Sequence, residues 1–181
     1  MKKFDPTVWE ARAWSRFTKA AQADKHTPEK LQSDWVKNVC AISDITKLIE
    51  WCKERHIRVN FVKKSLGTYN IHGKTIELSY KLHPPNQSIV FLHECGHHLI
   101  SNCDDKNRFE LGYSLIDPKS TNSTIHRITC LEEEFEAWHR GWKLAQRLNL
   151  NTTQKDFDAV KVSCIKTYLK WALRQGTWID D

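Results

Sequence analysis

Residues 91–100 read FLHECGHHLI, placing three histidines and a glutamate in a run whose other members belong to a buried core. Ionisable side chains are rarely buried without a partner, so this stretch demands one. At 3.6 residues per turn His93 and His97 lie one above the other on a helix, and Glu94 projects beside the first. Two neutral imidazoles at that spacing can each turn one nitrogen toward the same divalent ion. His98 falls roughly opposite and is not expected to join them. Gly96 suits a place where another element packs closely.

Zinc asks for a third protein ligand and, in a catalytic site, leaves the fourth position to water. No histidine follows His97 at the HxxGxxH spacing, so a downstream acid is expected. The stretch CLEEEFEAWHRGWKLAQRL, 130–148, offers four glutamates. On a helix Glu134 shares a stripe with Ala137, Trp138, Gly141, Leu144, Ala145 and Leu148. Glu132, Glu136, His139 and Lys143 fall on the opposite, wet face, and Glu133 sits on the flank beside Arg140. Glu134 is thus the acid directed into the core, and the third ligand we expect. Ala137 and Gly141 would let the two helices approach.

The elements that position these residues can be read from periodicity. PTVWEARAWSRFTKAAQ and the stretch after Thr27-Pro28 are helical in pattern, with no glycine before Gly67. Ile57, Val59 and Phe61 then alternate with polar residues, as do Ile76, Leu78 and Tyr80 after a turn at His72-Gly73. This predicts a small antiparallel sheet with a hairpin. Asn86, after Pro84-Pro85, can open the motif helix. Phe91, Leu92, Cys95 and Leu99 cover its remaining sides, so it should be the central, buried helix. Residues 101–129 read mostly as loop, followed by a helix from near Thr129 to Leu148. A last helix opens at a Thr153–Asp156 capping box and carries the stripe Phe157, Val160, Cys164, Tyr168, Trp171. The fold class is α+β.

The chain has 181 residues, 40% hydrophobic and 28% charged, which fits one soluble globular domain. Within it we expect N-terminal helices over 1–56, a catalytic core over 57–148 and a C-terminal helix over 149–181. No apolar run approaches the ~20 residues that span a bilayer, and the opening MKKFDPTVWEARAW lacks the apolar stretch of a secretory signal. A cytoplasmic protein without membrane contact is the expectation. Six cysteines without a CxxC pair are then expected to be free, buried thiols. The net charge of +6 is scattered, with no recognition helix or zinc-finger spacing, so nucleic acid is not the expected partner.

HECGHH followed by EFEAW resembles the gluzincin metallopeptidases, most closely the compact ImmA/IrrE-like and minigluzincin-type proteins, which are common in phages and mobile elements. The resemblance covers roughly 57–148 and implies a zincin-like fold, a small sheet packed on the HExxH helix. It implies His93, His97 and Glu134 as zinc ligands and Glu94 as general base. It also implies that strand 75–81 is an edge strand aligning an extended peptide. One departure is plain: many relatives place Asp or Asn four residues after the ligand glutamate, where this chain has Trp138. The usual contact that orients a ligand histidine must then come from elsewhere.

The implied activity is zinc-dependent endopeptidase, with Tyr113 and His126, ahead of Tyr80, as donors to the developing oxyanion. Loop 101–129 would form a wall or lid of the cleft. Narrow specificity is expected, for a protein or peptide partner; the resemblance suggests a transcriptional repressor. Three alternatives stand beside it: a non-enzymatic zinc-containing regulator or scaffold, a zinc hydrolase of other bonds, and a basic nucleic-acid binder.

Overall fold

Proline sits in the first turn of three helices, α1 (Pro6–Gln22), α2 (Pro28–Glu54) and α3 (Pro84–Ser101). Its fixed φ and missing N–H cost nothing there. The structure is a computed structural model that describes residues 5–22, 28–63, 66–103, 109–110, 112–113 and 123–173. Strands β1 (Arg58–Val62), β2 (Gly67–Asn70) and β3 (Thr75–Ser79) lie between α2 and α3, and α4 (Thr124–Arg147) and α5 (Gln154–Leu173) follow. The fold is α+β, mostly helical, with a small three-stranded sheet packed on α3.

The sheet departs from expectation in two ways. Its order is β1-β3-β2, and β1 pairs parallel to β3, so the sheet is mixed rather than antiparallel. The parallel register sets Val59 beside Ile76 and Phe61 beside Leu78, joining the apolar faces of both strands in one core, with β3 on α3 and β1 against α2. Periodicity reveals such a face but not the direction of the strand that shares it. The hairpin is where expected, with β2 antiparallel to β3. β3 is therefore the central strand, not an edge; the edge on the site's side is β2.

Two helix starts also move. α3 begins at Pro84, ahead of Asn86, with His83 at its cap. α4 begins at Thr124 rather than near Thr129, because Ser123 caps it by accepting from the His126 amide at 3.1 Å. The β-branched residues of that first turn are weak helix formers and mask its start. The α5 cap is as expected: Thr153 Oγ1 accepts from the Asp156 amide at 3.2 Å and bonds its carboxylate at 2.8 Å. Of the expected loop, 104–108, 111 and 114–122 lie outside the described residues.

α3 is the buried centre, packed by α2, α4, α5 and the sheet. Its contact with α4 depends on missing side chains. A Cβ on Gly96 would collide with the Ala137 carbonyl, and one on Gly141 would lie 2.6 Å from the Leu92 carbonyl oxygen. This close approach brings residues 93–97 within reach of 133–138. At the far end of α4, buried Asp44 on α2 accepts four bonds of 2.8–3.1 Å from Asn151 and Thr152, tying down the turn into α5. All six cysteines are free; Cys52, Cys95 and Cys130 are buried, while Cys40, Cys103 and Cys164 are half-buried. No helix among the described residues is long and apolar enough to cross a membrane.

Candidate metal centre

His93 and His97 sit one turn apart on α3 with Glu134 of α4 opposite them. His93 Nε2 is 3.1 Å from Glu134 Oε2, His97 Nε2 is 3.5 Å from Glu134 Oε1, and the two Nε2 atoms are 3.3 Å apart. One ligand atom from each of the three residues fits within 4.8 Å of the others. Glu134, at 1% exposure, is the most buried acid of its quartet, where the helical stripe placed it.

The chemistry of the donor set fits a cation. Glu134 Oε2 is buried and has no hydrogen-bond partner, because its approach to His93 lacks hydrogen-bond geometry. A buried carboxylate oxygen left unsatisfied costs free energy that a divalent ion would recover. The field of the cluster agrees. Burial works against a charged imidazole at His97, yet the carboxylates of Glu133 and Glu134 outweigh it and push the group up to about 10. Burial would likewise raise Glu134, but the imidazoles of His93 and His97 beside it take it far below the usual carboxylate range. A pocket that holds an anion and an extra proton this firmly is one in which a divalent ion can replace the proton.

Glu94 lines the same cavity, and burial raises its carboxyl against the opposing pull of His93 and His97. The first residue of β2 must be small to pass it: a Cβ on Gly67 would lie 2.8 Å from Glu94 Oε1.

Arg140 bonds Glu136 at 2.7 Å and the Leu99 carbonyl at 2.9 Å, not Glu133. The Glu133 carboxylate instead stands 3.4 Å from His97 Nδ1 and accepts from the Tyr113 amide at 3.3 Å. It therefore grips the nitrogen of His97 that faces away from the cluster. This supplies the orienting contact that Trp138 cannot. Trp138 stacks on the His93 ring, centroids 4.2 Å apart and planes at 18°, and His93 Nδ1 is buried without a hydrogen-bond partner. One histidine of the cluster is held by a carboxylate and the other by an aromatic face. His98 points away, accepting or donating at Nδ1 to the Tyr69 hydroxyl at 2.9 Å and packing edge-on against Trp51.

Of the expected donors, Tyr113 is in the site. Its hydroxyl donates to Glu134 Oε1 at 2.7 Å, so its proton is committed to that carboxylate. His126 is in the first turn of α4, against the Cys130 thiol and edge-on to Trp171, and does not line the cavity. Tyr80 packs on the core and does not line it either. Sequence reasoning missed Tyr168 on α5, which lines the same cavity as Glu134 and Tyr113. Its place in an apolar helical stripe reads as core packing; its hydroxyl was the available signal.

The cavity over these residues measures about 620 Å³, with β2 and the turn after it on one side and Phe109, Glu110 and Tyr113 on another. Comparison with protein-family models, with curated proteins and with solved structures yields no match to this chain.

Proposed function

We propose that this protein is a zinc-dependent endopeptidase with a zincin-like fold, held by His93, His97 and Glu134 and using Glu94 as general base. The observation that carries the reading is the convergence of two imidazoles and a buried, unsatisfied carboxylate oxygen on the floor of an open cavity, with a second carboxylate alongside. A purely structural site has no need of that second carboxylate, and closed structural sites use four protein ligands.

Zinc at the three ligands would acidify a water and polarise the scissile carbonyl. Glu94 would take the proton from that water and pass it to the leaving amine; its burial, which lifts the carboxyl, suits a base that both accepts and returns a proton. Glu133 fixes the ring of His97. β2 pairs with β3 on one side only among the described strands, and its residues line the cavity. Its other edge would align an extended peptide by main-chain bonds, the part first expected of β3. The substrate we favour is a single protein partner, such as a transcriptional repressor, cleaved at a narrow set of sites inside a cell.

The test is Glu94→Gln, which keeps size and hydrogen bonding but removes the base. Purified protein is incubated with candidate repressors encoded near its own gene, and with an unfolded protein such as casein, with and without a chelator. Cleavage that the chelator abolishes and Glu94→Gln cuts by roughly 10²-fold or more, with zinc retained, is the expected result. Cleavage indifferent to Glu94→Gln would remove the base from the mechanism. A Gln variant that keeps the full biological effect would favour a non-enzymatic zinc-containing regulator.

A further inference from the structure

His98 is the histidine of the HECGHH run that the metal reading leaves without a task. It is buried, and its ring packs edge-on against Trp51 of α2 and Tyr69 of β2, with centroids 5.9 and 5.5 Å apart. Its Nδ1 is 2.9 Å from the Tyr69 hydroxyl, and Asn102 Nδ2 stands 3.3 Å from the same nitrogen. The Tyr69 hydroxyl also lies 3.4 Å from that of Ser101. One side chain of β2 is thereby bonded to α3.

The spacing gives this contact its use. Along a strand, Gly67 and Tyr69 share a face about 6.6 Å apart. Along α3, Glu94 and His98 share a face about 6 Å apart. The two periods match, so β2 follows one stripe of α3, with Gly67 against Glu94 and Tyr69 against His98.

The main chain of the same two residues is turned away from the sheet. Successive amides at the end of β3 point to opposite sides: Tyr80 donates to the Val62 carbonyl of β1 at 3.1 Å, and Ser79 to the Leu66 carbonyl ahead of β2 at 3.2 Å. By that alternation Glu77 and Thr75 also face β2, and their partners in the register are Thr68 and Asn70. Gly67 and Tyr69 then present their N–H and C=O groups to the open edge, beside the cavity that both residues line.

We propose that Tyr69 and His98 are positioning residues for substrate: their hydrogen bond seats β2 on α3, so that the open main-chain groups of Gly67 and Tyr69 hold an extended peptide in register with Glu94. The proposal rests on the endopeptidase reading and deepens it.

The test uses the full-length zinc-loaded protein, with casein and the neighbouring repressors as substrates. Tyr69→Phe removes the hydroxyl and keeps the ring. It should raise KM about fivefold, the worth of one side-chain hydrogen bond, with kcat and zinc affinity unchanged. Exchange of the Thr68 and Asn70 amides should quicken by about the same factor. His98→Leu should act likewise, Tyr69→Phe should add nothing further in its background, and His98→Asn, which restores a polar atom near the place of Nδ1, should recover most of the loss. Ile165→Val, a buried residue that does not line the cavity, should lower the melting temperature and leave KM alone. A Tyr69→Phe protein with the KM and β2 exchange of the parent would overturn the proposal and leave the peptidase reading intact. So would a loss confined to kcat, which would place Tyr69 in the chemistry rather than in positioning. A parent that cleaves none of these proteins would overturn the peptidase reading and the proposal with it.

Discussion

Four consecutive or near-consecutive glutamates on α4 allow a graded experiment: Glu132, Glu133, Glu134 and Glu136, each changed to Gln. Glu134→Gln replaces the anionic oxygen 3.1 Å from His93 Nε2 with a weaker neutral donor set. Structural zinc sites hold the ion by roughly 10–16 kcal/mol over four ligands, so one of them is worth about 3 kcal/mol. That corresponds to a loss of roughly 10²-fold in affinity. Glu133→Gln leaves the ligand set complete but weakens the grip on His97 Nδ1, which stands 3.4 Å from the carboxylate. About tenfold is expected for such a contact. Glu132 is exposed and Glu136 makes a partly exposed pair with Arg140, so neither should move zinc affinity or change stability by more than ~0.5 kcal/mol. Affinities come from titration against a competing chelator dye, and each variant's melting temperature without metal is recorded alongside. The order 134, then 133, then the other two is the claim. If Glu133→Gln loses the metal and Glu134→Gln keeps it, the assignment of the third ligand is refuted.

The pH dependence of metal binding has a definite sign. Without metal, His97 is held at about 10 against an ordinary 6.5, so its contribution to stability is complete below about 6.5 and is lost as pH rises through about 10. Zinc must expel that proton, so apparent affinity should climb about tenfold per unit between about pH 7 and about pH 9, with a matching proton release in calorimetry; a flat affinity would contradict it. Gly96→Ala drives a methyl into the Ala137 carbonyl and should cost about 3 kcal/mol by thermal unfolding while also weakening zinc, because α3 and α4 carry the ligands between them. Asp44→Ala leaves four donors of Asn151 and Thr152 without their acceptor and should cost about 3 kcal/mol, or roughly 9 °C in melting temperature, with zinc affinity unchanged. A melting temperature unmoved in either variant would show that these contacts do not hold the fold.

The site was more legible in the sequence than the sheet beside it. A metal cluster built on helices inherits the helical period, so spacing alone put His93 over His97 and turned Glu134 inward. The small residues at 96, 137 and 141 announced the close helix contact for the same reason, since only a missing side chain permits it. Strand order is a different kind of fact. Val59 and Phe61 alternate equally well beside either neighbour, so their period does not say that β1 runs parallel to β3. That pairing moved the edge from β3 to β2. Glu133 was placed by the wheel on a flank, which is correct, but the wheel does not say that His97 Nδ1 waits there. Tyr168 was hidden by its neighbours, because a tyrosine in an apolar stripe has the signature of packing whether or not its hydroxyl is used.

The central claim is that His93, His97 and Glu134 hold one divalent ion. Elemental analysis of the purified, dialysed protein tests it most directly, run beside a triple variant with all three residues changed to alanine and a variant with all six cysteines changed to serine. The account predicts about one zinc per chain in the parent and in the cysteine-free protein, and none in the triple variant. A folded parent that binds no divalent metal, or zinc that leaves with the cysteines and stays without the histidines, would contradict it.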